Sequence, residues 1–173
     1  MGQPPPILLL VKIKPVATRI EGGLQMLRDR PWLPESAIEF IEVYLKPWHL
    51  TFEFGSGAST LWLWERCAQV VSVEHDPAHF LPGVIMHPRP YAPVISEYPD
   101  ETFDFILVDG RDRVQCIKCA LPKLKRGGWL MLDNSERRRY AAAGITWLCH
   151  FYQPTPDRFG FTYPNWRASV YRK

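Results

Sequence analysis

Four short apolar runs in this chain each end on acidic or glycine-rich residues, and that pattern restricts the fold more than any other feature. Residues 49–54 run into Gly-Ser-Gly, residues 69–74 read QVVSVE, residues 103–110 read FDFILVDG, and residues 129–134 read WLMLDN. Runs that are apolar throughout, in place of alternating, mark strands covered on both faces. Helix-patterned segments lie between them at 58–68 and from Arg113 to Leu124, and PESAIEFIEVYL at 34–45 supplies an earlier helix opened by Pro34. The expectation is an α/β chain with a doubly wound, mostly parallel sheet in three layers, α/β/α, closed by an antiparallel C-terminal strand in RASVYRK. Such sheets bind ligands beyond the carboxyl ends of their strands. One rim therefore collects Glu53 with Gly55 to Ser59, then Glu74, Asp109, Asp133 and Asn134.

The remaining segments carry weaker signals. The proline-rich stretch 76–100 offers strand-like runs only at 84–86 and 93–96, the LKRGG stretch at 124–128 reads as a turn, and 136–150 reads as helical. The chain divides into an N-terminal extension, 1–33, that covers a pocket or meets a partner, and a single domain, 34–173. With 173 residues there is room for one core.

TFEFGSGAST (51–60) does not fit the two commonest phosphate-binding turns. A P-loop needs Gly-Lys-Ser/Thr, and a dinucleotide turn needs a third glycine where Ala58-Ser59-Thr60 stands. A tight strand-to-helix turn with no ligand is the competing reading of the same glycines. Glu74, about twenty residues on, stands where an acid accepts hydrogen bonds from a ribose diol; the alternative is a glutamate facing solvent.

Taken in order, E-F-G-S-G-x-S-T, V-E-H-D, F-D-x-I-L-V-D-G and L-K-x-G-G-x-L-x-L-D-N resemble the class I S-adenosylmethionine-dependent methyltransferases, and more narrowly the small Rossmann-like members with VDGR and DNSE segments. The resemblance covers 34–173. It implies that Glu53, Gly55, Ser56 and Gly57 line the methionine part of the cofactor. Ser59 and Thr60 would cap the helix or reach the cofactor carboxylate. Glu74 would hold the ribose with His75 beside it, and the adenine would lie against 86–91. Asp109 is implied near the cofactor amino group and the acceptor; its other reading is a cap for the next helix. Asp109 and then Asp133 are the expected catalytic groups. Asp133-Asn134 is also similar to the metal-binding pair of the catechol-type O-methyltransferases, which with Asp109 implies a Mg²⁺ site of hard oxygen ligands. The chain departs from that group at Asp112, where it lacks the lysine used as a base.

The implied reaction is direct methyl transfer to a small-molecule acceptor. The alternatives are a nicotinamide-dependent oxidoreductase on a similar sheet and a non-catalytic cofactor-binding scaffold. A net charge of +3 does not argue for nucleic acid or an acidic membrane, and the Arg137–Arg138–Arg139 run and the basic 123–126 turn read as solvated faces. Cys116 and Cys119 form a CxxC inside a helix with no second ligand pair, so the four cysteines read as free thiols of a cytoplasmic protein. The apolar 7–13 segment is too short to span a membrane, and it leaves a homo-oligomer open. His75, His150, Glu136 and Tyr140 are further acid or base candidates. Trp62 and Trp64, two apart on one helix, cannot share a face.

Overall fold

A computed structural model describes residues 30–67, 69–153 and 165–173. Helix α1 (Glu35–Tyr44) leads into β1 (Leu50–Phe54), α2 (Ala58–Arg66) and β2 (Gln69–Glu74). A two-residue strand β3 (Ile85–Met86) precedes β4 (Phe103–Val108), α3 (Arg113–Lys123) and β5 (Leu124–Leu132), and β6 (Cys149–Tyr152) and β7 (Arg167–Arg172) complete the chain. Short 3₁₀ helices occupy Pro77–His79, Ala92–Glu97 and Arg138–Ala143.

The seven strands form one sheet in the order β3-β2-β1-β4-β5-β7-β6. The first five are parallel, β7 runs antiparallel to β5, and β6 runs antiparallel to β7. The apolar runs are explained by cover on both faces. Phe52, Phe54, Ile106 and Val108 pack beneath α3 and the Ala92–Glu97 turn, with Cys116, Ile117 and Ile95. Phe105, Leu107 and Met131 pack against Ile38 and Ile41 of α1 and Trp62 and Leu63 of α2. Each fully buried phenylalanine contributes about 1.5–3 kcal/mol. Exposed ion pairs such as Arg126–Glu101, with one side chain 88% exposed, add little beside that. Trp62 is buried, whereas Trp64 faces the loop at Gly83, as their spacing requires.

Three local expectations are corrected. LKRGG (124–128) is the first half of β5: Leu124 pairs with Phe103, and Gly127 N donates to Lys173 O at 2.8 Å, so polar residues that read as a turn are held in the sheet by distant chain. The 136–150 stretch is not a helix. Its 3₁₀ turn stops at Gly144, whose φ of +72° breaks the helical path, and Cys149–Tyr152 joins the sheet beside β7. Residues 93–96 belong to a 3₁₀ helix that buries Ala92, Val94 and Ile95. Of the N-terminal extension, 1–29 lies outside the described residues, including the apolar 7–13 segment. Leu33 is buried with α1, while Trp32 is 55% exposed and reaches the rim cavities. Among the described residues no helix is long and apolar enough to cross a membrane.

Candidate functional site

The parallel strands end level with one another because their carboxyl ends are tied by backbone. Phe54 O accepts the amides of Asp109 (3.0 Å) and Gly110 (2.6 Å), Gly55 N donates to Val73 O (2.9 Å), and Asp133 N donates to Val108 O (3.2 Å). Gly55 has a φ of +99°, and a Cβ there would meet Gly110 N at 2.8 Å and Gly110 Cα at 2.9 Å. The first glycine of the turn is thus needed for contact between two strand-end loops. Gly57 is different: its backbone is extended, and a Cβ would meet nothing within 4 Å. Its open side faces a cavity of about 490 Å³ lined by Gly55 to Ser59, Glu74, His75, Asp109, Gly110 and Arg111.

Glu53 does not line that cavity. Its side chain is fully buried; Ser59 Oγ donates to one oxygen, and Thr60 Oγ1 (2.5 Å) and Ser72 Oγ (2.6 Å) donate to the other. Thr60 Oγ1 also accepts Gly57 N at 3.0 Å. Glu53, Ser59 and Thr60 therefore form a buried brace under the turn. Burial pushes the Glu53 carboxyl up to about 7, against the lowering effect of the hydroxyls.

Glu74 does line the cavity, but its carboxylate is already engaged. Oε1 accepts His75 N (2.6 Å), Asp76 N (2.9 Å) and pairs with His75 Nδ1 (2.6 Å), while Oε2 accepts Ser56 N (3.0 Å). Burial raises its pKa, but these hydrogen bonds together outweigh burial and hold the carboxyl below its ordinary range. The His75 ring stacks on Tyr91, centroids 5.5 Å apart and planes 14° apart. Tyr91 Oη receives Arg111 N and donates to Arg111 O at 3.0 Å, so the loop after β4 is pinned beneath the histidine.

Asp109 and Asp133 come together on the rim. A buried guanidinium joins them: Arg113 Nη2 donates to Asp109 Oδ1 at 3.0 Å and to Asp109 O at 2.5 Å, Nη1 to Asp133 O, and Nε to Gly110 O at 2.8 Å. Arg113 Nη1 also lies 3.9 Å from Asp133 Oδ2. Trp166 Nε1 donates to Asp133 Oδ1 at 2.8 Å. Burial, and then the charge of Asp109, raise the Asp133 carboxyl well above its usual range; burial also raises Asp109, although Arg113 opposes it. Asp133 is buried, whereas the Asp109 side chain is 30% exposed and lines two cavities. The second, of about 390 Å³, lies between Trp32 and Trp166 with Asp133, Asn134, Glu136 and Arg137.

These residues do not fit the expected Mg²⁺. Arg113 already places a positive charge against both carboxylates, and Asp133 Oδ1 is occupied by Trp166. Among the described residues no group of three or more His, Cys, Asp or Glu side chains is arranged to hold a metal. Asp109 does not cap α3 either. Asp112 holds the N-cap position without a side-chain bond to the helix and pairs with Arg89 instead. His150, on the edge strand β6, is bonded to Ser169 Oγ at 2.6 Å and lines none of the cavities at Asp109, Gly57 and Arg137.

Sequence reasoning missed Arg113 and Trp166, and it named Tyr91 only as the end of the 86–91 segment. Arg113 left one signal: a cation in the first turn of a helix opposes the helix dipole, so a compensating acid had to lie near. Tyr91 and Trp166 left none, since their partners lie 20 and 33 residues away.

No protein-family model and no curated protein matches the chain. Solved structures do. A putative methyltransferase from Streptococcus mutans in complex with SAH superposes with a TM-score of 0.55 at 12% identity, covering 90% of this chain and 100% of that one. An rRNA methylase from Streptococcus thermophilus gives 0.56 at 11% identity over 78% and 92%. A methyltransferase-like protein from Silicibacter pomeroyi gives 0.52 at 21% identity over 84% and 90%. The chain has the Rossmann-like methyltransferase fold. It spans about half the length of several other matches, and identities this low speak for the fold alone. In that fold the cavity at Gly57 lies beyond the carboxyl ends of β1, β2 and β4, as the alternating pattern requires.

Proposed function

We propose that the chain binds S-adenosylmethionine at the Gly55–Ser59 turn and transfers its methyl group to a small acceptor. The carrying observation is the open face of Gly57 beside a cavity that Glu74 and Asp109 also line. No contact within the protein requires glycine there, whereas a ligand lying against the backbone does.

The methionine part lies along the backbone of Gly55, Ser56 and Gly57, whose amides are already engaged within the protein, and the Glu53 brace keeps the turn in place through Ser59 and Thr60. Glu74 accepts the ribose diol once His75 Nδ1 leaves Oε1, because a carboxylate offers about four lone-pair positions and this one has four partners. His75 is the partner that can move, since the other three donors are backbone amides. The cofactor supplies an electrophilic methyl group that passes to the acceptor by in-line displacement. The acceptor's reacting atom lies in the cavity between Trp32 and Trp166, and Asp109 receives its proton. Asp133 and Arg113 orient Asp109, and residues 34–173 form the catalytic domain with Trp32 as part of its pocket wall.

Calorimetric titration with S-adenosylhomocysteine and with NAD tests the reading. Saturable binding of S-adenosylhomocysteine and none of NAD is expected; the reverse overturns it and favours an oxidoreductase. Gly57→Val adds a side chain where the free protein has space. It should leave the melting temperature nearly unchanged and abolish S-adenosylhomocysteine binding. Binding like that of the parent protein would remove the cofactor from this cavity. Cofactor binding without turnover on any of a broad panel of acceptors would favour the scaffold reading.

A further inference from the structure

Arg137, Arg138 and Arg139 project from the turn that follows Asn134, a residue held at a φ of +49°. Three adjacent like charges on a solvated face need no special arrangement, but two of these are arranged. Arg137 lines all three cavities on the rim. Arg139 donates to Tyr140 Oη at 3.3 Å and lies 5.1 Å over the Tyr140 ring, a stacking that fixes a guanidinium without neutralising it. Arg111 lines the same cleft, of about 980 Å³, as these two.

The charges in this cleft do not balance. Its one acid, Asp112, forms a two-pronged pair with Arg89. Arg113 is buried and directed at Asp109 and Asp133. Among the described residues no carboxylate lies within ion-pair distance of Arg111 or Arg139, and Arg137 meets only Glu136, at 3.7 Å. A concave surface lined by unneutralised charge concentrates potential and draws an ion of opposite sign. Guanidinium groups present paired donors that match phosphate and carboxylate oxygens. His75, Gly110 and Arg111 line both this cleft and the Gly57 cavity, whereas Arg139, Tyr140 and Gln115 line only the cleft. Arg89 and Pro90, in the segment read for the adenine, line the cleft as well, so a bound cofactor takes up that part and leaves Arg137, Arg139 and Tyr140 to a second ligand.

We infer that the methyl acceptor is a small molecule carrying an oxyanion, phosphate or carboxylate, held between Arg111, Arg137 and Arg139 while its reacting atom faces Asp109. The inference rests on the proposed methyl transfer. It narrows the acceptor to an anion and gives the arginine run a binding role.

The test titrates the protein, with and without S-adenosylhomocysteine, with inorganic pyrophosphate and with succinate at constant ionic strength. Either anion should bind saturably, and whichever binds more tightly names the group. Arg137→Ala and Arg139→Ala should each weaken that binding by about tenfold or more, equivalent to about 1.4 kcal/mol. Lys118→Ala removes an exposed charge outside the three cavities and should change it less than about twofold. Arg139→Gln, which keeps a polar side chain on Tyr140, guards against a folding defect and should behave as Arg139→Ala does. Equal binding by the arginine variants and Lys118→Ala overturns the inference, as does no saturable binding of either anion. Binding of a ten-nucleotide oligoribonucleotide more than tenfold tighter than pyrophosphate would also overturn it, in favour of a polymer. If S-adenosylhomocysteine fails to bind while the arginine-dependent anion binding persists, the anion site stands and the methyl-transfer reading falls.

Discussion

Glu53→Gln keeps the shape of a fully buried side chain and removes its titration. Burial moves this carboxyl from 4.5 to about 7, against hydrogen bonds from Ser59, Ser72 and Thr60. A value above that of the unfolded chain means the native state binds the proton more tightly. The resulting stabilisation is complete below about pH 4.5 and disappears as the pH rises through about 7. A shift from 4.5 to about 7 corresponds to about 3 kcal/mol in full, of which about 2.5 kcal/mol is lost between about pH 5 and pH 8. Glutamine has no such dependence, and the surrounding hydroxyls can rotate to accept its amide. Urea denaturation of both proteins at the two pH values isolates the effect, because every other titrating group is shared. The stability of the parent minus that of the variant should fall by about 2.5 kcal/mol toward pH 8, or about 5–10 °C in melting temperature for a chain of this size. A difference that is constant with pH, or that moves in favour of the parent, would refute the reasoning. It would mean that the three hydroxyls hold Glu53 ionised throughout.

Arg113→Met should destabilise the fold by about 3–5 kcal/mol, since it strands two rim carboxyls. The loss should be smaller at low pH, where Asp133 and Asp109 are protonated, as paired denaturation curves would show. Gly110→Ala places a Cβ 2.2 Å from Tyr91 Oη and should cost about 1–3 kcal/mol; a double-mutant cycle with Tyr91→Phe should show part of that cost relieved. Asp109→Asn should lower the rate constant for methyl transfer by about 10²–10⁴-fold while S-adenosylhomocysteine affinity stays within a few-fold, the signature of a lost proton acceptor. Chelation should leave activity unchanged, and Mg²⁺ should not shift the melting temperature; a shift would mean that a cation can displace Arg113 from Asp109.

The layered sheet was legible because β4 and the second half of β5 are apolar on both faces and β1 and β2 are short runs rich in aromatic or β-branched residues, properties each strand carries in its own residues. The order of acids along the rim was legible for the same reason. What each acid does was not. Glu53 precedes the glycines and reads as a ligand, yet the hydroxyls of Ser59, Thr60 and Ser72 turn it inward, and Ser72 belongs to the neighbouring strand. Asp133 reads as a metal ligand until Arg113 is seen against it, a contact across 20 residues. The errors at 124–128 and 136–150 share that cause. LKRGG is held in the sheet by Phe103 and Lys173, and of 136–150 only Cys149 and His150 become strand, by pairing with β7; neither set of partners is written in the segment itself.

The placement of β7 between β5 and β6 also dictates an order of assembly. Strand β6 comes first along the chain but has no sheet neighbour until β7 is in place, and β7 pairs with β5 across about 40 residues. Closing so long a loop is slow compared with forming local structure. As the chain emerges during synthesis, β1, β2, β4 and β5 can join while Asp133 still lacks the indole of Trp166, which stands immediately before β7. The acid pair on the rim reaches its final form only after Arg172 has emerged, so a nascent or nicked chain can hold the parallel half of the sheet without a finished cavity between Trp32 and Trp166.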